Sequence, residues 1–488
     1  MQGDFSRDSF DPLRRYSRVL QQQGRVELDA DGNERQAIQL HLLRQLAADL
    51  IGPSGGPGDG FAIGDRLNGK PMLFNFAVSP GHYYVNGWLC ENDGVAIYNS
   101  DAPAPAEPAP ARQHQVAVKV PPLEAGNTYL VVLDVWERHV SAAEADGAAS
   151  ARLPGALREV ALGGPDTASR AQVVWQVRVS NGAVANGKPL ALPAEPYTAA
   201  AWRKWFADVW PAWLALWSPE QRGRLMARAA DPSEAEAGSP CVVAPQSHYR
   251  GVENQLYRVQ VHRSGRAGEL PAPTFVWSRE NGSVVYAISR IAGKQVKLAD
   301  GWRDTRVALS VGDWVELLDE GLSLNGSPGR LHRVTEVDID TSTVTLDATP
   351  AITTDDPASH PVLVRWDHGG RRPLAANTAK PSDDGGLEID EGRWLGLEDG
   401  VQVWFEPPEA KGDVTQYRAG DYWLLPARVA VGDVLWPRDA QGAPLPQPPR
   451  GVAHQYAPLG VVKVAADGVV TVAAGEAPRR QFRHLVDL

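Results

Sequence analysis

A mainly β chain of several modules is what this sequence predicts, interrupted by an N-terminal helix and a Trp-rich helical insert. Three observations carry that expectation. Gly and Pro are abundant, at 47 and 39 residues, and both favour tight turns, Gly through positive φ and Pro through a preset φ. From about residue 61 onward, apolar and polar residues alternate over short stretches, the period of a strand with one buried face. Helical recurrence near 3.6 residues is confined to a few short regions. At 488 residues the chain outgrows a single hydrophobic core. It divides into a tail and docking helix (1–60), a β-domain with a helical insert at about 197–235 (61–240), a β-domain including a small barrel at about 307–348 (241–375), and a C-terminal β-domain (376–488). The modules are expected to be small β-barrels or β-sandwiches.

Taken in order, the first element is a helix over about 32–50, because Ile38, Leu42, Leu43, Leu46 and Leu50 form an apolar stripe. Asp31 is placed as its cap, with Glu34 returning the bond three residues later, and Gly52-Pro53 stops it. The preceding tail, 4–16, is too polar and irregular to make a core and must lie against this chain or a neighbour. Residues 74–78 and 83–89 then read as two strands around Pro80-Gly81, and 129–136 and 172–179 as two more. Asp134 and Glu137 mark where the third strand leaves the core, as two solvated carboxylates rather than a glycosidase pair. The Ala/Pro-rich stretch 102–112 reads as extended surface chain.

Trp202, Trp205, Trp210, Trp213 and Trp217 stand three to five residues apart, with Pro211 dividing them, and predict a helical hairpin whose rings pack on the β body. Ser218-Pro219-Glu220 starts a further short helix through Met226. Residues 253–261, 274–277 and 283–288 read as a meander with an Asn281-Gly282 turn. Strands at 307–309, 314–317, 331–334 and 343–346 predict the small barrel, and 401–405, 421–425, 460–464 and 468–472 supply the C-terminal domain.

The net charge of −11 argues against nucleic acid as a partner. No apolar run approaches the roughly 20 residues of a spanning helix. The opening residues lack the basic-then-apolar order of a secretory signal, so assembly in the cytoplasm is expected, with an extracellular place reached as part of a released particle. Cys90 and Cys241 form neither a CxxC motif nor a disulfide framework. Asp29, Asp31 and Asn33 imitate the start of a calcium loop, but Glu34 stands where the bend requires Gly and Leu40 where the bidentate Glu belongs. The histidines include no HxxH pair, and no phosphate loop, dinucleotide fingerprint or nucleophile elbow is present. No catalytic, cofactor or metal residue is therefore assigned, and catalysis is not the expected role.

The opening Gly3-Asp4-Phe5-Ser6-Arg7-Asp8, Phe10-Asp11-Pro12, 24–31 and Asn33-Glu34 resemble a family of uncharacterised bacterial proteins, DUF6519-like, associated with phage tails and phage-like contractile injection systems. Further matches are 133–138, 161–167, 174–177, 253–258, Trp277-Ser278-Arg279 with Asn281-Gly282, 312–316, 420–428 and 454–459, with the Trp-rich insert the least similar part. The resemblance implies a structural or accessory component of such a particle, baseplate- or fibre-associated. Its partners would be other tail or baseplate proteins, with further copies of itself as an additional partner. Attachment would run through the N-terminal segment, with Phe5, Arg7, Phe10, Arg25, Asp29, Asp31, Asn33 and Glu34 as the candidate residues. The alternative is a carbohydrate-recognition protein or vestigial glycan hydrolase, using the flat faces of Trp394, Trp404, Tyr422 and Trp423, which also fit a sheet core.

Overall fold

A computed structural model describes residues 1–99, 111–112, 120–146, 157–162, 166–182, 184–185, 188–218, 222–229, 249, 251–301, 306–352, 359–369, 377–408, 410 and 412–483. Strands dominate it, numbered here for those longer than two residues. Besides the long N-terminal helix α1 (Asp29–Ile51) there are α2 (Ala142–Asp146), α3 (Ala199–Asp208), α4 (Trp210–Trp217) and α5 (Glu320–Asn325).

The first sheet joins Gln481–Phe482, β1 (Ser54–Pro57), β2 (Gly81–Val85) and β3 (Trp88–Asn92). The expected single strand over 83–89 is instead a hairpin. Asn86 and Gly87 both take positive φ, 47° and 79°, and turn the chain back on itself. Of the strand expected at 74–78 only Ala77–Val78 is paired, Phe74 having φ of 49°. The Ala/Pro-rich stretch lies outside the described residues except for Ala111–Arg112.

The second sheet is β5 (Arg170–Ser180), β4 (Thr128–Val140), β18 (Gln455–Val464) and β19 (Val470–Val472). Alternation along β4 divides two cores. Val131, Leu133 and Val135 face Phe61, Phe76, Tyr83 and Trp175, while Leu130 and Val132 face the Trp hairpin. That hairpin forms as the Trp spacing predicts: α3 and α4 meet at Val209, and Trp202, Trp205, Trp210 and Trp213 are buried against Tyr197, Tyr456 and Val461. The helix expected from 218 to 226 does not continue. Residues 219–221 lie outside the described ones, and Leu225–Ala229 is a strand, β6.

β6 pairs with β16 (Val401–Phe405), which pairs with β15 (Trp394–Gly396). Beside them, β7 (Gln255–Arg263) is flanked by β8 (Thr274–Ser278) and β17 (Tyr422–Arg428), with Leu387–Glu388 and Asp433–Val434 at the edges. The meander expectation holds for β7 and β8 only. After the Asn281-Gly282 turn the next strand, β9 (Val285–Ala292), leaves for a closed barrel with β10 (Gln295–Leu298), β13 (Thr343–Leu346), β12 (Leu331–Asp338), β11 (Trp314–Leu318) and β14 (Val362–Trp366). The barrel thus spans more chain than 307–348, and Val307–Leu309 is a turn rather than a strand because β9 and β14 close the sheet. Ladders between distant segments, β4 with β18 and β7 with β17, tie the sequential modules together.

At the junction of barrel and sheet lies a buried set of charges. Arg279 grips Glu398 with two hydrogen bonds of 2.8 Å and reaches Asp367 at 2.9 Å. Arg365, fully buried, donates to Glu280 at 2.8 Å and lies 3.3 Å from Asp367, and Arg306 closes the set on Glu280 at 2.9 Å. Three guanidinium groups thus meet three carboxylates, so the cluster is neutral as a whole.

Two predictions follow from this packing. Trp213 is 1% exposed inside the ring cluster, so Trp213→Ala should cost about 3–5 kcal/mol by leaving a cavity, read as a lowered melting temperature. A melting temperature equal to wild type would contradict it. His368 and His139 are pushed down to about 4 and about 3, chiefly by burial. The unfolded chain takes up those protons from about pH 6.5 downward and the folded chain does not, so stability should fall as pH drops from about 6.5 toward 4. Thermal melts across that window check the sign, and His368→Gln should flatten the slope.

Candidate docking surface and polar centres

The N-terminal residues run as a strap across the body. Gly3 N–H donates to Asn281 O at 3.3 Å, and the Asn281 amide returns bonds to Gly3 O and Met1 O. Arg258 donates to Met1 O at 3.2 Å and lies 3.6 Å above the Tyr422 ring. Arg428 donates to Ser6 O at 2.7 Å, and Arg450 pairs with Asp8. The strap then crosses α1: Ser6 N–H donates to Asp29 at 2.8 Å, Ser9 to Glu34 at 2.7 Å, and Phe10 lies 5.8 Å from His41. Burial raises the Asp29 carboxyl, but the bonds from Ser6 outweigh it and hold the carboxyl below its ordinary value.

Those contacts revise the expected capping. Helix α1 begins at Asp29, its N-cap is Leu28 with no side-chain bond, and Glu34 is occupied by Ser9, so Asp31 and Glu34 form no capping box. Among the candidate attachment residues, Phe5 folds against Gly3, Phe10 meets His41, and Asp29 and Glu34 hold the strap. Arg7 is half-buried near Arg428, Asp31 is half-buried in the first turn of α1, and Arg25 and Asn33 are exposed.

What α1 presents outward is the missed feature. Only Ala30 and Ile38 are buried on it. Arg44 fixes its inner face, with its guanidinium 2.8 Å from Glu137 and 3.6 Å above the Trp88 ring. The opposite face carries Leu42, Leu43, Leu46 and Leu50, exposed by 49%, 63%, 56% and 77%. The preceding segment adds Leu13, in the 3-10 turn Pro12–Arg14, and Tyr16, Leu20, Val26 and Leu28, all exposed. The stripe read from the sequence is therefore present but, apart from Ile38, does not pack on this chain. Periodicity alone identifies an apolar face without identifying what covers it.

The four candidate aromatic residues do not make one platform. Trp423 is core, 2% exposed, with its indole N–H bonded to Gln447 O. Tyr422 is covered by Arg258 and the strap. Trp394 and Trp404 are half-buried cross-strand partners, centroids 5.6 Å apart, and Arg228 lies 4.1 Å above Trp394.

Asp134 and Glu137 are not solvated. β4 continues to Val140, and Asp134 has no exposure; it accepts from His454 Nδ1 at 2.7 Å and lies 2.6 Å from Arg178. The separation of 320 positions between Asp134 and His454 hides the pair from any spacing rule, although β4–β18 register sets Asp134 opposite Tyr456. Among the described residues no group of three His, Cys, Asp or Glu side chains is arranged to hold a metal ion. No described helix is long and apolar enough to cross a membrane.

Residues 1–192 and 215–473 match the profile of DUF6519, a family of unknown function. The gap between the matched segments contains Trp202, Trp205, Trp210 and Trp213, the part least similar at sequence level. No curated protein and no protein of solved structure matches the chain.

The seating of α1 is testable at Gly87. A β-carbon there would lie 2.0 Å from Arg44 O, and φ of 79° disfavours any other residue. Gly87→Ala should lift the helix, raising protease cleavage within 29–51 by an order of magnitude or more. Unchanged cleavage would contradict this seating.

Proposed function

Because the chain belongs to the DUF6519 family, whose function is unknown, we propose from its geometry that it is a structural component of a phage-tail-like contractile injection particle, baseplate- or fibre-associated. In this reading it performs no catalysis and attaches through its N-terminal region. The observation that carries the reading is the outward apolar face of α1, continuous in sequence with the exposed residues of 13–28. Leaving such a surface in water is unfavourable at roughly 25 cal/mol per Å² of apolar area. Nine large side chains with 46% to 83% exposure present on the order of 900 Å², about what a standard interface takes from each partner.

Charge supports an assembly partner as well. Residues 12–28 contain Arg14, Arg15, Arg18 and Arg25 against Glu27 alone, a net +3, so the rest of a chain of net −11 carries −14. A basic, apolar segment is thus complementary to the acidic bodies of further copies and to acidic neighbours. The strap, by contrast, uses its polar groups within the chain, so the attachment surface centres on 13–28 and the outer face of α1 rather than on Phe5, Phe10, Asp29 and Glu34. The second reading is glycan recognition, favoured only by the half-buried Trp394–Trp404 pair.

Leu43→Glu combined with Leu46→Glu and Leu50→Glu alters side chains that already face solvent, so monomer melting should stay within a few degrees of wild type. Incorporation into purified particles should fall at least tenfold. Normal incorporation of the triple variant would rule out attachment through α1.

A further inference from the structure

Below the C-terminal end of α4 lies a cavity that plays no part in docking. Its volume is about 470 Å³, and its walls include Ser218, Arg222, Arg224, Arg418, Val452 and His454. That volume falls within the range of small-ligand sites. Three arginines around one cavity are an unusual concentration of positive charge in a chain of net −11. Arg222 is occupied by a two-pronged grip on Asp421, an arrangement crowded by Gly451, where a β-carbon would lie 2.5 Å from Arg222 Nη2. Arg224 donates to Pro446 O at 2.8 Å and lies 3.4 Å from Glu406. Arg418 makes no ion pair among the described residues, although its charge acts on Asp421 and Tyr456, and its guanidinium lines the cavity where a ligand can reach it.

His454 is oriented from behind. A carboxylate can only accept, so the 2.7 Å contact with buried Asp134 places a ring proton on Nδ1, and in the neutral imidazole the accepting lone pair is then the one on Nε2. Trp136, with its ring centroid 4.9 Å away, and Tyr456, stacked at 6.0 Å, fix the imidazole plane. Four other histidines, His139, His262, His332 and His368, have a buried ring nitrogen without a partner, whereas His454 Nε2 is not among these and the residue lines the cavity. The cavity therefore offers an unpaired cation and an oriented acceptor.

We propose that this cavity binds a hydroxylated organic acid of the sugar-acid class, its carboxylate on Arg418 and one hydroxyl donating to His454 Nε2. A simple carboxylate satisfies the guanidinium but has no hydrogen for Nε2. A neutral sugar supplies the hydroxyl and leaves Arg418 unmatched. A ligand carrying a carboxylate and a hydroxyl meets both requirements, and charge-assisted pairing with arginine is the stronger of the two. The inference is independent of the assembly reading, since it needs only the folded chain.

The test is ligand titration of the full chain by calorimetry with glucuronate, acetate and glucose as probes. Glucuronate should bind at least about tenfold more tightly than either of the others, a difference of roughly 1.4 kcal/mol. Arg418→Gln, at a half-exposed position, should weaken glucuronate at least tenfold without lowering the melting temperature, and Arg203→Gln on the exposed side of α3 should not. His454→Gln should reduce the preference for glucuronate over acetate. Equal affinity for acetate and glucuronate, glucuronate binding indifferent to Arg418→Gln, or no detectable binding by the folded chain would each overturn the proposal.

Discussion

Buried charge at the meeting of barrel and sheet is the constraint on which the rest of the structure depends. Glu280, Arg365, Asp367 and Glu398 are each nearly or wholly removed from water, and removing any partner would strand a charge at a cost of about 3–5 kcal/mol. These residues come from the end of β8, the strand β14 and its exit, and the loop before β16. Their mutual charge pairing therefore fixes how the barrel stands on the sheet. The adjoining Asn281-Gly282 turn takes its geometry from the same place, and that turn holds Met1 and Gly3. Through the strap, the position of α1 is coupled to the interior.

This coupling explains how a chain can carry a large apolar helix face without burying it. The inner side of α1 is fixed by a few directional contacts, Arg44 with Glu137 and Trp88, and Ser6 and Ser9 with the first turns. Those contacts need little apolar area and leave Leu43, Leu46 and Leu50 free. Under the proposed docking role, a helix held in this way is already oriented for its partner, which lowers the ordering cost of association. The Trp hairpin follows the opposite rule, since its rings are satisfied within the chain against β4 and β18. Aromatic abundance alone does not distinguish a docking face from a core.

Much of the architecture was legible because local periodicity and local burial agree. The alternation in 129–136, 172–179 and 401–405 lies in strands, and Trp202 to Trp217 in two helices, because each pattern is satisfied by the nearest available core. The misreadings share a physical cause. Asn86-Gly87 broke an apolar run that hydrophobicity alone treats as continuous, and β9 joined the barrel although the preceding turn would equally have fed a hairpin. Asp134 read as solvated because a carboxylate in a strand ordinarily is, and its partners His454 and Arg178 come from other strands. The capping box at Asp31 and Glu34 failed because the helix begins at Asp29, which puts Asp31 inside it, and because Ser9 of the strap occupies Glu34. The stripe of α1 was readable as apolar, while its outward orientation depended on Arg44 and Glu137, 93 positions apart.

The central claim is that 13–28 and the outer face of α1 are an interface in the assembled state. Hydroxyl-radical footprinting of the isolated chain and of intact particles measures the same side chains in both settings. The account predicts strong protection of Tyr16, Leu43, Leu46 and Leu50 on assembly, with Leu270, exposed by 92% on the body, as the internal reference. Equal labelling of those four side chains in free chain and particle would contradict it.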